Sequence, residues 1–290
     1  MKTYNYIKLM RPKHWIKNFL IMVPLFFDLT FFKWSLLLPA IGGFIIFSLL
    51  SSVIYIVNDI NDIEGDRLDE EKRKRPLASG AVSIKEAIAL VMILVGLIIF
   101  LSIIENNSGW IFLALYFVLN VAYSVKLKHI PLLDIVILAS GFLIRLLYGA
   151  AITNITISFW LCMTVLALSF YLGLGKRRNE LRKNGSEAEK IRGVLKFYNA
   201  EFLDKNMYMC MGMAIMFYAL WTGAEETIQK MGSDTQMWTV PLAIIMAMKY
   251  SLDIECGEYA DPVEVILKDK WLLLLGVVYV LVMVGILYYR

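Results

Sequence analysis

The sequence predicts an all-α, polytopic membrane protein, and three observations support this prediction: its composition, its long apolar runs and the one-sided distribution of its positive charge. Of the 290 residues, 59% are hydrophobic and only 19% are charged, whereas about 25% of residues are charged in a soluble domain. Several apolar runs approach the roughly 20 residues that a helix needs to cross a bilayer. A soluble protein with buried helices does not fit, because the runs are too many and too long. With no low-complexity linker in the chain, we expect one transmembrane domain over residues 1–290.

Nine apolar runs predict nine transmembrane helices around a central cavity that opens to the cytoplasmic side. The first run is the weakest, since it contains Pro24 and Asp28 and fits a tilted or partly interfacial segment. The nine runs cover residues 18–32, 35–57, 84–104, 109–124, 130–152, 157–175, 206–224, 237–252 and 271–289.

The positive charges predict that the N-terminus lies in the cytoplasm, because cytoplasmic loops of membrane proteins carry an excess of Lys and Arg. With the N-terminus inside, 25 of the 29 Lys and Arg residues fall on the cytoplasmic side. Lys33, Lys230 and Arg290 fall on the other side, and Arg145 lies inside a span. The loops on the outer side are short, so we expect the functional site at the cytoplasmic face.

Zinc sites, disulfide frameworks and nucleic-acid-binding modules find no support in the sequence. Cys162, Cys210 and Cys256 are far apart and form no CxxC pair, and the two histidines have no partner at ligand spacing. The basic run 72–75 has no folded soluble module to present it to a nucleic acid. We therefore expect the membrane, and no nucleic acid, as a partner.

The most informative stretch is Asn58–Asp66, which follows the second apolar run directly. If the helix continues past that run, Asn58, Asp62 and Asp66 recur at i, i+4 and i+8 and lie on one face. Stacked carboxylates repel one another, and the C-terminal end of a helix is already negative. Oxygen ligands without His or Cys suit Mg²⁺ or Mn²⁺, and Mg²⁺ usually binds through one or two carboxylates together with substrate phosphates. The alternative is a solvated acidic loop that the basic run 72–75 neutralises.

These residues resemble a known family. The pattern Asn58-Asp59-x-x-Asp62-x-x-x-Asp66 fits the NDxxDxxxD motif of the UbiA superfamily of intramembrane prenyltransferases, and nine spans with a cytoplasmic N-terminus fit as well. Within the superfamily, the chain is most similar to the phosphoribosyltransferases that act on decaprenyl phosphate, from about residue 8 to the C-terminus. The further stretches that carry this similarity are RPKHWIKN at 11–18, KRKRPLASG at 72–80, YSVKLK at 123–128, PLLD at 131–134, GFLIR at 141–145 and GKRRNEL at 175–181.

The resemblance implies a Mg²⁺-dependent enzyme of a bacterial inner (plasma) membrane. Such an enzyme transfers a 5-phosphoribosyl group from phosphoribosyl diphosphate to a polyprenyl phosphate lipid and releases diphosphate; in mycobacteria and relatives the product leads to the arabinose donor of the cell wall. Members of the superfamily that use prenyl diphosphates usually carry a second aspartate-rich motif after span six. Residues 176–183 here offer one carboxylate among five cations instead, which favours the phosphoribosyl branch. A second departure is Asp69-Glu70, where the family pattern has His-Pro.

Two other functions stay open at this point. The first is a prenyltransferase that moves a polyprenyl group from its diphosphate to an aromatic or lipid acceptor. The second is a transporter in which Asp134 and Arg145 line a pathway, although the nearly uncharged outer loops argue against it. The sequence leaves both the oligomeric state and the length of the prenyl chain undetermined.

The resemblance and the chemistry of phosphate binding together predict the site residues. Asn58, Asp62 and Asp66 are the expected metal ligands, and Asp62, Asp66 and Lys128 are the expected catalytic residues. Basic side chains from different loops can surround one polyanion. The expected substrate contacts are Lys17, Asp59, Arg73, Arg75, Tyr123, Asp134, Arg145, Lys176, Arg177 and Glu180.

Arg145 needs a separate interpretation because an intramembrane charge is expensive and functional by default. A role at the floor of the cavity is one interpretation. The alternative is a structural Arg that pairs with an acid or with backbone carbonyls, and Asp134 is a candidate partner. In the last cytoplasmic loop, acidic side chains at 253, 255, 261 and 269 are candidates to cover the site.

Overall fold

The structure, a computed structural model, describes residues 2–69, 72–105, 108–185, 192–256, 265 and 269–288, and the regular elements in these ranges are all helical. The chain divides into two compact units. The first unit comprises Met1–Ile130 and Ile144–Thr156, and the second comprises Pro131–Leu143 and Ile157–Arg290.

The first unit begins with short helices and continues with long ones. Its elements are α1 (Lys2–Met10), a 3-10 helix (Pro12–Met22), α2 (Val23–Phe27), α3 (Trp34–Asn61), α4 (Ile63–Leu68), a 3-10 turn (Lys72–Lys74), α5 (Ile84–Ile104), α6 (Trp110–Val125) and a 3-10 turn (Leu127–His129). The next helix, α7 (Leu133–Thr153), starts in the second unit and continues into the first.

The second unit is built from the longer C-terminal helices. Its further elements are α8 (Phe159–Asn184), a 3-10 helix (Gly193–Phe197), α9 (Ala200–Gly223), α10 (Glu225–Met231), a 3-10 turn (Thr235–Trp238), α11 (Thr239–Cys256) and α12 (Lys270–Tyr288).

The long helices follow the apolar runs of the sequence closely. Within the described ranges, five helices are long and apolar enough to cross a membrane, or six if α9 and α10, which bend by 56° at their junction, form one span. Two more apolar helices, Trp110–Val125 and Lys270–Ile286, are shorter. The first predicted span differs, because 18–32 falls on the end of a 3-10 helix and the five-residue helix α2. Pro24 near the start of α2 and the left-handed backbone of Leu29 (φ 60°) interrupt any longer helix there.

The most apolar helix of the chain, α5, starts at a well-defined cap. The Ser83 hydroxyl accepts a hydrogen bond from the Glu86 amide at 3.2 Å, and the Glu86 carboxylate accepts one from the Ser83 amide at 2.9 Å. This reciprocal pair satisfies two amides that the first helical turn leaves without partners. Beyond the cap, α5 leaves most of its apolar side chains exposed, as expected for a helix that faces lipid.

The core of the first unit forms around α3, which packs against α5, α6 and the 3-10 helix Pro12–Met22. The Phe47 ring lies 4.6 Å from the Tyr116 ring and 5.5 Å from the Tyr148 ring, measured between centroids. In the second unit, α8 and α9 form the main helix pair. Their core includes Tyr171, Leu203 and the buried Leu195 of the 3-10 helix Gly193–Phe197, so this connecting segment is packed and not merely a surface loop.

One close backbone contact in the first unit depends on a glycine. A Cβ atom added at Gly149 of α7 would overlap the backbone of Ile21, and would lie 2.9 Å from its Cα and from its carbonyl carbon. The 3-10 helix Pro12–Met22 can therefore approach α7 only because residue 149 has no side chain.

We expect Gly149→Ala to lower the free energy of unfolding by about 1–3 kcal/mol, because a backbone atom cannot move aside as a side chain can. The matched control is Gly96→Ala in α5, where an added Cβ meets nothing within 4 Å. Alanine is the better helix former, so the control should be neutral or stabilising by up to about 1 kcal/mol. Thermal unfolding in detergent measures both, and equal stabilities of the two variants would contradict the prediction.

Candidate active site

The helical hydrogen bonds of α3 continue into the acidic stretch, past the turn at Asp62 that separates α3 from α4. Asp62 lies between α3 and α4 with φ −100° and ψ 7°. Its amide still donates to the Asn58 carbonyl at 3.0 Å, and the Asp66 amide donates to the Asp62 carbonyl at 2.8 Å. The Asn58 side-chain amide donates to an Asp62 carboxylate oxygen at 3.1 Å. These two side chains therefore lie on one face, as their spacing predicts.

Two residues near the end of α6 donate hydrogen bonds to Asn58 and Asp62. Lys128 Nζ donates to Asp62 Oδ1 at 2.8 Å, and Ser124 Oγ donates to Asn58 Oδ1 at 3.0 Å. Both members of the Lys128–Asp62 pair are partly exposed. A charged hydrogen bond between partly exposed groups can exchange for another partner at modest cost, so these side chains are accessible to a ligand.

Asp59 and Asp66, the other two carboxylates of this stretch, are buried and share Arg75. Arg75 Nη1 donates to Asp66 Oδ2 at 2.5 Å and lies 3.2 Å from Asp59 Oδ1. Arg11 Nη2 donates to the same Asp59 oxygen at 2.5 Å. Arg11 has a left-handed backbone (φ 53°), and its guanidinium lies over the Tyr55 ring at 5.1 Å. Asp59 and Asp66 are seven residues apart, so two helical turns bring them to one side where a single arginine reaches both.

Burial also affects the ionisation of Asp66. It raises the pKa of the Asp66 carboxyl above its ordinary value, although the Arg75 guanidinium beside it acts in the opposite direction. Arg75 therefore stabilises the ionised form of Asp66, which burial alone would disfavour.

The predicted metal ligands suit Mg²⁺ by chemistry, since Asn58, Asp62 and Asp66 offer only oxygen atoms. Among the residues that the structure describes, no three His, Cys, Asp or Glu side chains come together as a metal site. Asp62 is paired with Lys128 and Asp66 with Arg75. This donor set fits a cation that takes its remaining ligands from substrate phosphates, and it does not resemble an all-protein cage.

Arg145 lies in a polar shell of its own in the first unit. Its Nε donates to Asn18 Oδ1 and its Nη2 to the Tyr116 hydroxyl, each at 2.7 Å. The guanidinium also lies over the rings of Phe47 and Tyr116, at 5.0 and 4.8 Å, a favourable contact for a buried cation. The buried Asn18 in turn donates to Ser48 Oγ at 2.9 Å. Asp134, the candidate partner, pairs with Arg177 instead.

Three predicted substrate contacts form one cluster in the second unit. Arg177 Nε donates to Asp134 Oδ2 at 2.6 Å, and Arg177 Nη1 donates to Glu180 Oε2 at 2.7 Å. The side chains of Asp134 and Arg177 are both 0% exposed. The cluster is thus a buried ion pair with a third, partly exposed carboxylate at its edge.

The other predicted residues have varied surroundings. Lys17, Tyr123 and Lys176 are partly exposed, and Arg73 is exposed. Of the acidic residues expected to cover the site, Glu255 accepts from Arg178 at 2.8 Å, and Asp253 and Asp269 both accept from Lys249. Asp261 and Glu70 lie outside the described residues.

Several residues in these networks were not predicted from the sequence as site residues, among them Arg11, Ser124 and Tyr198. Arg11 and Ser124 lie inside stretches that carry the family resemblance, RPKHWIKN and YSVKLK, so a signal for both was present. The Tyr198 hydroxyl donates to Asp134 at 2.6 Å. No sequence signal pointed to Tyr198, because it lies in the connection between α8 and α9, outside the motifs.

Comparison with known sequences places this geometry in a family. The UbiA prenyltransferase family profile matches residues 20–186. The chain is 31% identical over 288 residues to the decaprenyl-phosphate phosphoribosyltransferase of Corynebacterium glutamicum, which covers 97% of this chain and 86% of the relative. It is 30% identical over 279 residues to the protein of the same name from Mycolicibacterium smegmatis, with 93% of this chain and 88% of that one covered.

Solved structures show the same fold at lower identity. A UbiA homolog from Archaeoglobus fulgidus bound to GPP and Mg²⁺ aligns with a TM-score of 0.73 at 17% identity, over 98% of this chain and 99% of that one. The same homolog bound to DMAPP and Mg²⁺ aligns with a TM-score of 0.72, over 99% and 100% of the two chains. The profile match over more than half of the chain, the near full-length relatives and the shared fold lead to one conclusion: the chain is an integral membrane protein that belongs to the UbiA prenyltransferase family.

Proposed function

We propose that the protein is a Mg²⁺-dependent polyprenyl-phosphate phosphoribosyltransferase. It transfers a 5-phosphoribosyl group from phosphoribosyl diphosphate to a polyprenyl phosphate and releases diphosphate. The observation that carries this proposal is the similarity, over almost the whole chain, to relatives named decaprenyl-phosphate phosphoribosyltransferase. The replacement of a second aspartate-rich motif by the basic segment 176–183 supports it.

The first unit supplies groups that suit this chemistry. Asn58, Asp62 and Asp66 would hold Mg²⁺ together with the donor's diphosphate, and the ion would neutralise charge on the leaving group. Lys128 and Arg75 now neutralise Asp62 and Asp66. With a metal at those carboxylates, the two cations would be available for phosphate oxygens, to which Arg and Lys bind strongly. Lys17, Arg73 and Tyr123 of the same unit are our further proposed substrate contacts, and Lys176 of the second unit is a separate proposed phosphate contact.

The reaction needs little acid–base help from the protein. The acceptor phosphate is already an anion, so its oxygen attacks C1 of the ribose in line, and inversion follows at C1. One C–O bond forms as the bond from C1 to the diphosphate oxygen breaks, and the electron pair leaves with the diphosphate. The rate then comes from positioning the two phosphorylated substrates and from stabilising the charge of the leaving group.

The membrane arrangement that we propose has nine spans in a single transmembrane domain, with a cavity that opens to the cytoplasm. The N-terminus is cytoplasmic and the membrane is a bacterial plasma membrane. The distribution of Lys and Arg supports this orientation, since 25 of 29 fall on one side. The basic C-terminal turns of α8, which carry Arg182 and Lys183, agree with it.

Prenyl transfer is the second candidate function, and one observation favours it: the similar solved structures hold GPP or DMAPP with Mg²⁺. A donor screen separates the two functions. We expect purified protein to release diphosphate from phosphoribosyl diphosphate in the presence of farnesyl phosphate and Mg²⁺, and to form the ribosylated lipid. Chelation with EDTA should abolish the reaction because the leaving group loses its counter-charge. Transfer from geranyl diphosphate alone would overturn the proposal.

Substitution of the Asp62–Lys128 pair tests the site itself. Asp62→Asn keeps the shape but removes a charged ligand, so we expect kcat/KM to fall by about 10²–10³. Lys128→Met removes a charged hydrogen bond and should lower kcat/KM by about 10- to 100-fold. Initial rates of diphosphate release measure both.

Lys126→Ala is the matched control, because Lys126 lies two residues from Lys128 and is exposed. Its activity should stay within about twofold of the wild type, as for most exposed positions. Normal activity of Asp62→Asn in folded protein would contradict the assigned site.

A further inference from the structure

The 3-10 helix that follows α1 is fastened along one face of α3 by hydrogen bonds. The Asn18 side-chain amide donates to Ser48 Oγ at 2.9 Å, and Trp15 Nε1 donates to Ser52 Oγ at 3.0 Å. Ser52 Oγ also donates to the Met10 carbonyl at 2.8 Å. The two serines are one helical turn apart, so they lie on the same side of α3. This side of α3 therefore holds the N-terminal segment at several points.

Arg11 continues this series of contacts as far as the acidic stretch. Its guanidinium lies over the Tyr55 ring at 5.1 Å, and its Nη2 donates to Asp59 Oδ1 at 2.5 Å. Together with Ser48 and Ser52, these residues of α3 recur at the spacing of one helix face. The series therefore ends at the residue that follows the first proposed metal ligand.

The backbone of Arg11 is strained in the position that makes these contacts. Its φ of 53° and ψ of 56° lie in the left-handed region, which is unfavourable for a residue with a side chain. Arg11 also precedes Pro12, and a residue before proline favours an extended backbone. Such a conformation persists only where the surroundings hold it. The bonds of Ser52 to Met10 and Trp15 restrain the chain on both sides of Arg11.

The other end of the series is held from α6 and α7. Asn18 is fully buried, and its side-chain oxygen accepts from Arg145 Nε at 2.7 Å. The same guanidinium donates through Nη2 to the Tyr116 hydroxyl of α6, also at 2.7 Å. Arg145 thus joins α6 and α7 to the 3-10 helix, and this helix has little freedom to slide along α3.

Asp59 is the point where this support reaches the proposed site. It is 2% exposed, and among the described residues Arg11 and Arg75 are the cations that pair with it. Arg75 also donates to Asp66 at 2.5 Å. A carboxylate buried this deeply needs a compensating charge. Without Arg11, Arg75 would have to supply that charge, and it could not turn to another anion without leaving Asp59 uncompensated.

We infer that Arg11 is a positioning residue that keeps Asp59 neutralised. Arg75 can then exchange its second carboxylate partner for a phosphate of the substrate, to which guanidinium groups bind strongly. Ser52 holds Arg11 in place, because it binds the chain on both sides of that residue. The inference rests on the proposed function for the identity of the substrate, a sugar diphosphate.

Arg11→Gln and Asp59→Asn, alone and together, test this role. The probe is phosphoribosyl diphosphate with Mg²⁺, and ligand-induced shifts in unfolding temperature measure its affinity whether or not transfer occurs. We expect Arg11→Gln to lower the affinity about tenfold, the effect of one charged hydrogen bond, because Arg75 then stays with Asp59. In the Asp59→Asn background the same substitution should change the affinity by less than about twofold, because no buried charge then needs Arg11.

The second background separates positioning from direct binding. If Arg11 contacted the substrate itself, Arg11→Gln would lower the affinity about tenfold in both backgrounds, and this result would overturn the inference. Unchanged affinity of folded Arg11→Gln would overturn it as well. Arg11→Lys gives the same comparison with the charge kept and the planar fork lost, so we expect about a threefold loss that also disappears with Asp59→Asn. The control Lys13→Ala removes an exposed cation two residues away and should leave the affinity unchanged.

Ser52→Ala tests the support of Arg11. It removes one hydroxyl and places a good helix former in α3, so the fold should survive. We expect about a threefold loss of affinity for phosphoribosyl diphosphate, and no further loss in the Arg11→Gln background, because residues that act through one another are not additive. The matched control is Ser51→Ala, since the buried Ser51 Oγ has no hydrogen-bond partner within the described part of the chain. Additive losses, or equal affinities of the two serine variants, would overturn the role of Ser52.

Failure of the proposed function would give a different result. A wild-type protein that binds phosphoribosyl diphosphate but transfers nothing would overturn the proposed function, and the affinities would still decide the role of Arg11. A protein that transfers the sugar but loses affinity equally in both backgrounds would overturn the inference alone.

Discussion

Neutralisation of the acidic side chains at the end of α3 is the interaction on which the site in the first unit depends. Asp59, Asp62 and Asp66 follow one another within eight residues of sequence, at a helix end that is itself negative. Lys128, Arg75 and Arg11 supply the compensating charge from three other segments. Each of these ion pairs holds another segment of the chain against the acidic stretch. The acidic motif thus organises the polypeptide around it before any ligand is present.

The two halves of this network differ in how readily they can exchange partners. Asp59 is almost completely buried between two arginines, so its pairing is expensive to break. Asp62 and Lys128 are both partly exposed, and one charged hydrogen bond joins them. We therefore assign Asp59 to the structure of the site, with Arg75 held in place by it, and Asp62 to the ligand. A metal would replace Lys128 at Asp62 and Arg75 at Asp66, and the two cations would then contact the phosphate oxygens of the diphosphate.

The long helices could be predicted from the sequence because apolar length is a local property. The run 84–104 and the helix Ile84–Ile104 have the same bounds. Contact between Asn58 and Asp62 could be predicted for the same reason, as it follows from helical periodicity. The pairing of Asp62 with Lys128 spans 66 residues, and no local pattern specifies it. The resemblance to a family indicated that Lys128 belongs to the site, but not that a carboxylate would hold it.

The buried residues were harder to interpret for a physical reason. Arg145 and Arg177 are cations inside the fold, and a sequence cannot tell whether a substrate or the protein provides their partners. The structure surrounds Arg145 with an amide, a hydroxyl and two aromatic rings. It gives Arg177 two carboxylates, one of them 43 residues away. Only tertiary packing distinguishes these cases, and the same packing places the Tyr198 hydroxyl on Asp134.

An experimental structure of the protein with Mg²⁺ and phosphoribosyl diphosphate bound tests the proposed site most directly. We expect density for a metal ion at Asn58, Asp62 and Asp66, and a Lys128 ammonium that has left Asp62 for a phosphate oxygen. Arg11 should still hold Asp59. A diphosphate bound elsewhere, with Lys128 still on Asp62, would contradict the proposal that the substrate displaces Lys128 from Asp62.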